Sequence, residues 1–465
     1  MNFLSTIPLF LFLVTIVSSS FIPQQSWENV EILRTIDLGK SYVKEIIELK
    51  IKNLDSIPNN EYYFAIPNYI VDKLSTVEVI DKNHQQVLVE SFDDVTIINS
   101  EPLVNYLKFS LNQPIAPKQS TSLSIELNIL DILEPFPAKI DQSDEQILLL
   151  KTSKAPLSAY HTTKSTIKII RVPNGQELKK DYEDEIEVKG KIVDKSIRYD
   201  YENVEPFTIT ALAFAYSHNA PLVKITSLNR GVWVSHWANT LQFEEFYKLT
   251  NKAAELIKGF SRADFILKRR TQRTSHAAAA FQLQLTEDAQ DIYYTDLVGN
   301  VTTSRIVDNG LIIRPRFPIY GGWNYNFTVG WTNLLGDFVR DIGNSEYLLS
   351  VPIISGPVDS SYDEVSLNVY LPEGSKIVEV ESEIPYVELI QDYELSYLDL
   401  GKGHTKLSIL FKGLTDESEK SNVLIKYELS LWSSIKKSLE ISKLLFIVLI
   451  SYLVISKIDI SLKAK

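Results

Sequence analysis

The sequence predicts a mainly β protein: two tandem β-sandwich-like domains followed by one C-terminal transmembrane helix. Three observations carry that reading. Apolar and polar residues alternate with a period of two in short runs from Trp27 to about Tyr427, as half-buried strands require. Clusters of Pro, Gly and Asn punctuate those runs in the manner of an antiparallel sandwich. Near the C-terminus an apolar stretch, Leu444 to Ile455, has no such alternation.

Taken in order, residues 1–20 read as a signal peptide: Phe3 to Val17 is an apolar core and Ser18-Ser19-Ser20 supplies small residues for cleavage before Phe21. No Lys or Arg precedes that core, a departure from the usual pattern. The first β-rich domain is expected over 21–224. In Thr121 to Leu130, Leu123, Ile125, Leu127 and Ile129 face one way while Ser122, Ser124, Glu126 and Asn128 face the other. Similar runs occur at Val43 to Ile51, Ser165 to Ile170 and Phe207 to Tyr216, with turn signals at Pro135-Phe136-Pro137 and Pro173-Asn174-Gly175.

The second β-rich domain is expected over 225–432, with strands at Val365 to Leu371, Leu407 to Phe411 and Val423 to Leu429, and turns at Pro372-Glu373-Gly374 and Gly401-Lys402-Gly403. Between Leu241 and Ile257 helical and strand periodicities both fit. A faint internal echo favours the strand: Arg34-Thr35-Ile36-Asp37 with Glu45 and Leu49 opens the first domain as His236-Trp237 with Glu245 and Leu249 opens the second.

Arg314 to Asn333 combines a Pro-locked lead-in, a Gly-Gly turn and an aromatic strand. Trp323, Tyr325, Phe327, Val329 and Trp331 share one face of it; Asn324, Asn326, Thr328 and Gly330 share the other, wet one. Asn326-Phe327-Thr328 is an N-glycosylation acceptor, and Asn300-Val301-Thr302, beside the turn at Asp296-Leu297-Val298-Gly299, is a second. A transmembrane helix is expected over 441–460, a length of about 30 Å, with Lys443, Lys457 and Asp459 near its ends. Trp432 lies upstream as an interfacial anchor. Residues 461–465 then form a cytosolic tail, and the bulk of the chain is lumenal.

Composition excludes several classes of function. With no Cys, and Met1 as the only Met, the chain offers no thiol nucleophile, thiolate metal site or disulfide. A net charge of −12 argues against nucleic acid. The sequence lacks a G-x-S-x-G elbow, an H-E-x-x-H pair and a phosphate-binding glycine loop. The six His residues are scattered, and His218 and His236, considered as a distant pair, read as structural. Glu244-Glu245 could serve a glycosidase, but neighbours on a strand point to opposite faces, so one of them is expected to be a solvated strand charge. The acidic run Asp181 to Glu187 reads as a solvated hairpin rather than a calcium loop. Lys268, Arg269, Arg270 and Arg273 form a basic cluster suited to lipid headgroups or a diphosphate, or simply to solvent. No catalytic residue, metal ligand or cofactor site is assigned.

Longer strings carry a resemblance. SHWANTLQFEEFYKLTNKAA (Ser235 to Ala254), KGFSR (Lys258 to Arg262), YYTDLVGNVTTS (Tyr293 to Ser304) and RPRFPIYGGWNYNFTVGW (Arg314 to Trp331) resemble the ribophorin I family, of fungal type. WENV (Trp27 to Val30), RTIDL (Arg34 to Leu38), PLSAY (Pro156 to Tyr160), YSHNAPL (Tyr216 to Leu222), LPEG (Leu371 to Gly374) and YLDLGKGH (Tyr397 to His404) extend it over nearly the whole lumenal part. The resemblance implies a non-catalytic subunit of the endoplasmic-reticulum oligosaccharyltransferase complex. Such a subunit supports transfer of a preassembled glycan from a dolichol diphosphate donor to Asn in N-x-S/T sites of nascent chains. The implied partners are the multispanning catalytic subunit, the other subunits and the membrane, with nascent polypeptide and the protein-conducting channel as further contacts. The alternative from the residues alone is a β-sandwich adhesion or chaperone-like binding protein of the cell surface or reticulum; a lumenal hydrolase using Glu244 or Glu245 is a third.

Overall fold

The computed structural model describes residues 21–96, 104–178, 190–193, 196–271, 274–286, 288–308, 310–396, 399 and 401–458. The protein is mainly β, and its sheets fall into two sets built on one plan.

In the first set, β1 (Trp27–Asp37), β2 (Val43–Asn53), β3 (Leu74–Asp81), β4 (Ser120–Ile129), β5 (Thr162–Ile170) and β6 (Ser196–Val204) form, with the short strand Lys191–Val193, a seven-stranded sheet. Its spatial order is Lys191–Val193, β6, β5, β1, β2, β4, β3. In the second set, β7 (Val223–Ser235), β8 (Thr240–Asn251), β9 (Gln290–Asp296), β10 (Asn324–Leu334), β11 (Ser360–Glu373), β12 (Glu388–Glu394) and β13 (His404–Thr415) form, with Gly299–Asn300, an eight-stranded sheet. Its order is β12, β13, β11, β7, β8, β10, β9, Gly299–Asn300, the first order repeated with one added hairpin arm. The smaller sheets repeat as well, a four-stranded and a three-stranded sheet accompanying each large one.

The repetition reaches individual hydrogen bonds. The β1–β2 ladder shifts register between Asn29 and Glu31, and the β7–β8 ladder between Ile225 and Ser227, two residues into each opening strand. Asn53 ends β2 and Asn251 ends β8, both wholly buried. Each side-chain oxygen accepts from the backbone N–H two residues on, Asp55 at 2.8 Å and Ala253 at 3.0 Å. Each side-chain N–H donates to a carbonyl distant along the chain, Ile115 at 2.8 Å and Ile319 at 2.9 Å. A buried amide with all its bonding capacity used pins a strand end at little desolvation cost.

Alternation placed the strands well. Leu123, Ile125, Leu127 and Ile129 are buried while Ser122 and Ser124 remain accessible only on the other side. The segment after Leu241 is strand through Asn251, which decides between its two periodicities. The strand expected from Phe207 begins only at Ala211, because Phe207 adopts φ of 60° in a turn. One feature departs from an antiparallel sandwich: β1 runs parallel to β5, and β7 parallel to β11. Parallel partners need a long crossover, so nothing in either local pattern announces them.

Buried apolar residues form two cores, one drawn from Trp27 to Leu222 and one from Val223 to Leu429. The helix α1 (Arg262–Thr271) precedes the strands around β9. The helix α2 (Leu431–Lys457) follows the last strand, Asn422–Glu428. It begins ten residues before the expected span, capped by Ser430, whose hydroxyl accepts from Ser433 N–H at 3.1 Å. Trp432 therefore lies on the helix itself, exposed. At its far end the helix stops at Lys457, and positions 459 and 460 of the expected span lie outside the described residues.

Candidate functional site

The aromatic strand β10 is the centre of the second core. Trp331 stacks on Phe243 with centroids 5.0 Å apart, and Phe327 on Tyr247 at 4.7 Å. Between them and the neighbouring sheets lies Arg230, wholly buried and ion-paired with Glu245, itself wholly buried. The guanidinium sits 4.7 Å from the Phe243 ring centroid and donates to Ser355 Oγ at 2.6 Å. Glu245 also accepts from Tyr247 Oη at 2.6 Å. Burial pulls the Arg230 pKa down to about 10, with the nearby tyrosines opposing it, so the side chain remains a cation at neutral pH. The first core holds the same device: Arg34, like Arg230 the eighth residue of its strand, donates to Glu45 from Nε at 2.9 Å.

Glu244 points to the opposite face, exposed to solvent, and accepts from Tyr293 Oη at 2.6 Å. The two adjacent carboxylates are thus separated by the sheet, one locked to an arginine and one solvated. His218 rests edge-on to Tyr216, and His236 Nε2 lies 2.7 Å from Tyr427 Oη, so the structure does not bring the two histidines together. Among the described residues no group of three or more His, Asp or Glu is placed to hold a metal ion.

Of the acceptor sites, Asn300 is exposed at the end of a hairpin whose turn is held by Arg316 Nε donating to Asp296 at 2.6 Å. Asn326 is half-buried in the middle of β10, opposite Lys248 of β8. Lys268, Arg269 and Arg270 lie on α1, their side chains outside the described residues; Arg273, the signal segment 1–20, the acidic run 181–187 and the tail 461–465 lie outside them altogether.

Sequence reasoning missed the lock between the two sets of sheets. Asp416 accepts from Tyr42 Oη at 2.6 Å and from Lys40 Nζ at 3.1 Å, and its other oxygen takes the Asp359 N–H at 3.0 Å. Glu417 accepts from Lys44 Nζ at 2.9 Å and from Asn128 at 3.0 Å. Burial pushes the Glu417 carboxyl up, but the bonds from Lys44 and Asn128 outweigh it and hold it below its ordinary value. At a second place Lys139–Ile140 pairs with Glu255–Leu256 as a small parallel sheet, and Gln146 bonds to His218, Ala220 and Ala254. The sequence signal was the acid-rich segment Asp416-Glu417-Ser418-Glu419, which lies far along the chain from Lys40 and Lys44.

The helix α2 is tied to the second set by Lys437, which pairs with the buried carboxylate of Asp399. Asp399 also accepts from Ser396 N–H at 2.7 Å. From Ser442 onward the helix is exposed, and α2 is long and apolar enough to cross a membrane.

Two β units built on one plan, joined through the Asp416 and Glu417 contacts and followed by one helix long and apolar enough to cross a membrane, define a two-unit β protein. The chain belongs to the Ribophorin I family, whose model matches residues 27–456. It is 28% identical over 397 residues to dolichyl-diphosphooligosaccharide--protein glycosyltransferase subunit 1 of Caenorhabditis elegans, covering 84% of this chain and 65% of that one. It therefore spans a little under two thirds of the worm relative's length. Subunit 1B of Arabidopsis thaliana is 28% identical, with 82% of each chain covered, and subunit 1 of Schizosaccharomyces pombe 26% identical, with 80% and 82% covered. Among solved structures, a putative nutrient binding protein of Legionella pneumophila is 12% identical over 42% of this chain and 68% of its own, with a TM-score of 0.29, too low to carry an argument.

Proposed function

We propose that the chain is a non-catalytic subunit of the oligosaccharyltransferase of the endoplasmic reticulum. It supports transfer of a preassembled glycan from a dolichol diphosphate donor to Asn in N-x-S/T sites. The observation that carries this reading is the family match from 27 to 456, which takes in both β units and most of α2. In this reading α2 spans the membrane once, the units 21–224 and 225–432 stand on the lumenal side, and Asn300 and Asn326 carry glycans. The chain binds no cofactor of its own; it packs on a multispanning catalytic partner and the other subunits, beside the nascent polypeptide and the protein-conducting channel.

The placement of charge supports a scaffold role. The two buried arginines are each paired with a glutamate inside a core, where they fix packing. Affinity purification of the full chain from mild detergent tests the reading: a multispanning glycosyltransferase should co-purify, and depletion of the chain should leave secretory glycoproteins underglycosylated. A solitary protein, or unchanged site occupancy after depletion, refutes it.

A further inference from the structure

The outer face of the eight-stranded sheet is not flat. It holds a groove of about 800 Å³ between Trp233 on β7, Glu244 on β8, Tyr293 on β9 and Glu394 at the end of β12. Strand register lays two rows of side chains across it. Thr332, Gln242, Trp233, Tyr370 and Lys406 are successive neighbours in one. Tyr293, Gly330, Glu244, Gly231 and Asn368 are successive neighbours in the other.

The two glycines of the second row are there for different reasons. Gly330 makes room for Tyr293, since a Cβ would lie 2.3 Å from its ring. At Gly231 a Cβ would meet nothing closer than 3.6 Å, and the residue is outside the left-handed region. Neither packing nor backbone demands glycine at 231; its effect is to deepen the floor between Trp233 and Glu244. Trp233 stacks on Tyr370 with ring centroids 3.8 Å apart and planes 7° from parallel, meets His404 nearly perpendicular at 5.5 Å, and lines the groove beside Gln242. Among the described residues its indole N–H has no hydrogen-bond partner.

The walls select the chemistry of an occupant. Among the described residues they carry the carboxylates of Glu244, Asp291 and Glu394 and no cationic side chain; nearby Lys406 is spent on Glu394 at 3.0 Å. Phosphate, sulfate and acidic sugars are repelled, and a lipid tail would strand these acceptors without partners. A neutral pyranose satisfies the site. Its C–H face packs on the Trp233 ring where it lines the groove, and its equatorial hydroxyls donate to Glu244 and Glu394 and accept from the Trp233 and Gln242 N–H groups. We propose that this groove binds a neutral pyranose oligosaccharide, an inference that stands on the groove and does not rest on the family reading. A donor of that chemistry is close at hand: Asn326 lies on the same face of β10 as Gly330, roughly 13 Å along the strand. A glycan carried there would be held at high effective concentration over the groove.

Calorimetric titration of the full chain in mild detergent with a free high-mannose oligosaccharide tests this, using the native chain and an Asn326→Gln variant. Saturable binding is expected for Asn326→Gln, weakened at least tenfold by adding Trp233→Ala or Gly231→Val. The Gly231→Val arm keeps the test decisive if Trp233→Ala fails to fold, because the added side chain fills the floor without removing a packing residue. Binding that appears only with Asn326→Gln assigns the groove to the chain's own glycan; equal binding by both chains assigns it to a glycan on another molecule. No saturable binding to either chain overturns the proposal. So does binding that both groove variants leave unchanged, or tighter binding of a lysine-rich peptide than of the sugar.

Discussion

Replacing Glu245 by Ala would strand a guanidinium in a dry core. Arg230 and Glu245 are both wholly buried, and breaking such a pair from one side costs about 3–5 kcal/mol. Two local features place the cost near the lower end. Arg230 keeps its bond to Ser355 and its position over Phe243, and Tyr247, on losing the carboxylate, still has the Gly356 carbonyl 2.9 Å away. Taking about 3 kcal/mol, and roughly 2–4 °C per kcal/mol for a unit of this size, the melting temperature of the second unit should fall by about 6–12 °C. Scanning calorimetry of the purified chain reads that shift, and the first unit's transition should stay where it is. The double variant Arg230→Met, Glu245→Leu removes both charges, keeps most of the volume, and should melt within a few degrees of the native chain. If the single and double variants lose the same amount, the penalty is not that of an uncompensated charge and the reasoning fails. Glycan transfer by cells grown at permissive temperature should survive the single variant, which also separates a packing role for Glu245 from a hydrolytic one.

Four further outcomes are expected. Asp416→Ala removes the bonds from Tyr42, Lys40 and the Asp359 N–H at a cost of about 3 kcal/mol, and should expose the linker between Ser217 and Val223 to limited proteolysis. Acid should loosen the same lock: a carboxyl held below its ordinary value of 4.5, as Glu417 is, contributes stability in full above that pH and loses it as pH falls through the lower folded value. Asp359 and Glu419, pushed up by burial, act in the opposite sense and blunt the loss, so an energy-transfer pair across the units should separate below about pH 4.5 and not above it. Gly330→Ala drives a methyl into the Tyr293 ring, at about 1–3 kcal/mol, and faster amide exchange along β9 would report the displacement. Asn300→Gln and Asn326→Gln should each remove one endoglycosidase-sensitive step in electrophoretic mobility.

Much of the fold could be read from alternation, because strands such as Ser120–Ile129 have one dry and one wet face, and that asymmetry is written residue by residue. The internal echo also found the right pair of strands, though for an imperfect reason. Glu45 lies opposite Ile36, whereas Glu245 lies opposite Arg230, so the two glutamates are two positions out of step. The residues that do correspond are Arg34 with Arg230 and Asn53 with Asn251, each defined by bonds to residues far along the chain. For the same reason the parallel pairings and the Lys44 to Glu417 lock were invisible: they join residues whose local surroundings carry no mark of each other. The early start of α2 was hidden by Lys436, Lys437 and Glu440, which dilute the hydropathy of its first turns without disfavouring helix. The groove beside Trp233 could not be foreseen either, since Gly231 signals depth only once its neighbours across three strands are known.

The clasp between Lys437 and Asp399 grips α2 two turns after its start, and no break in the helix follows before Lys457. In a bilayer such a rod has no hinge with which to absorb a change of lean. A thicker or thinner lipid layer that reorients its buried half would swing both β units by the same angle, so the reach of the β units becomes a readout of the membrane beside them.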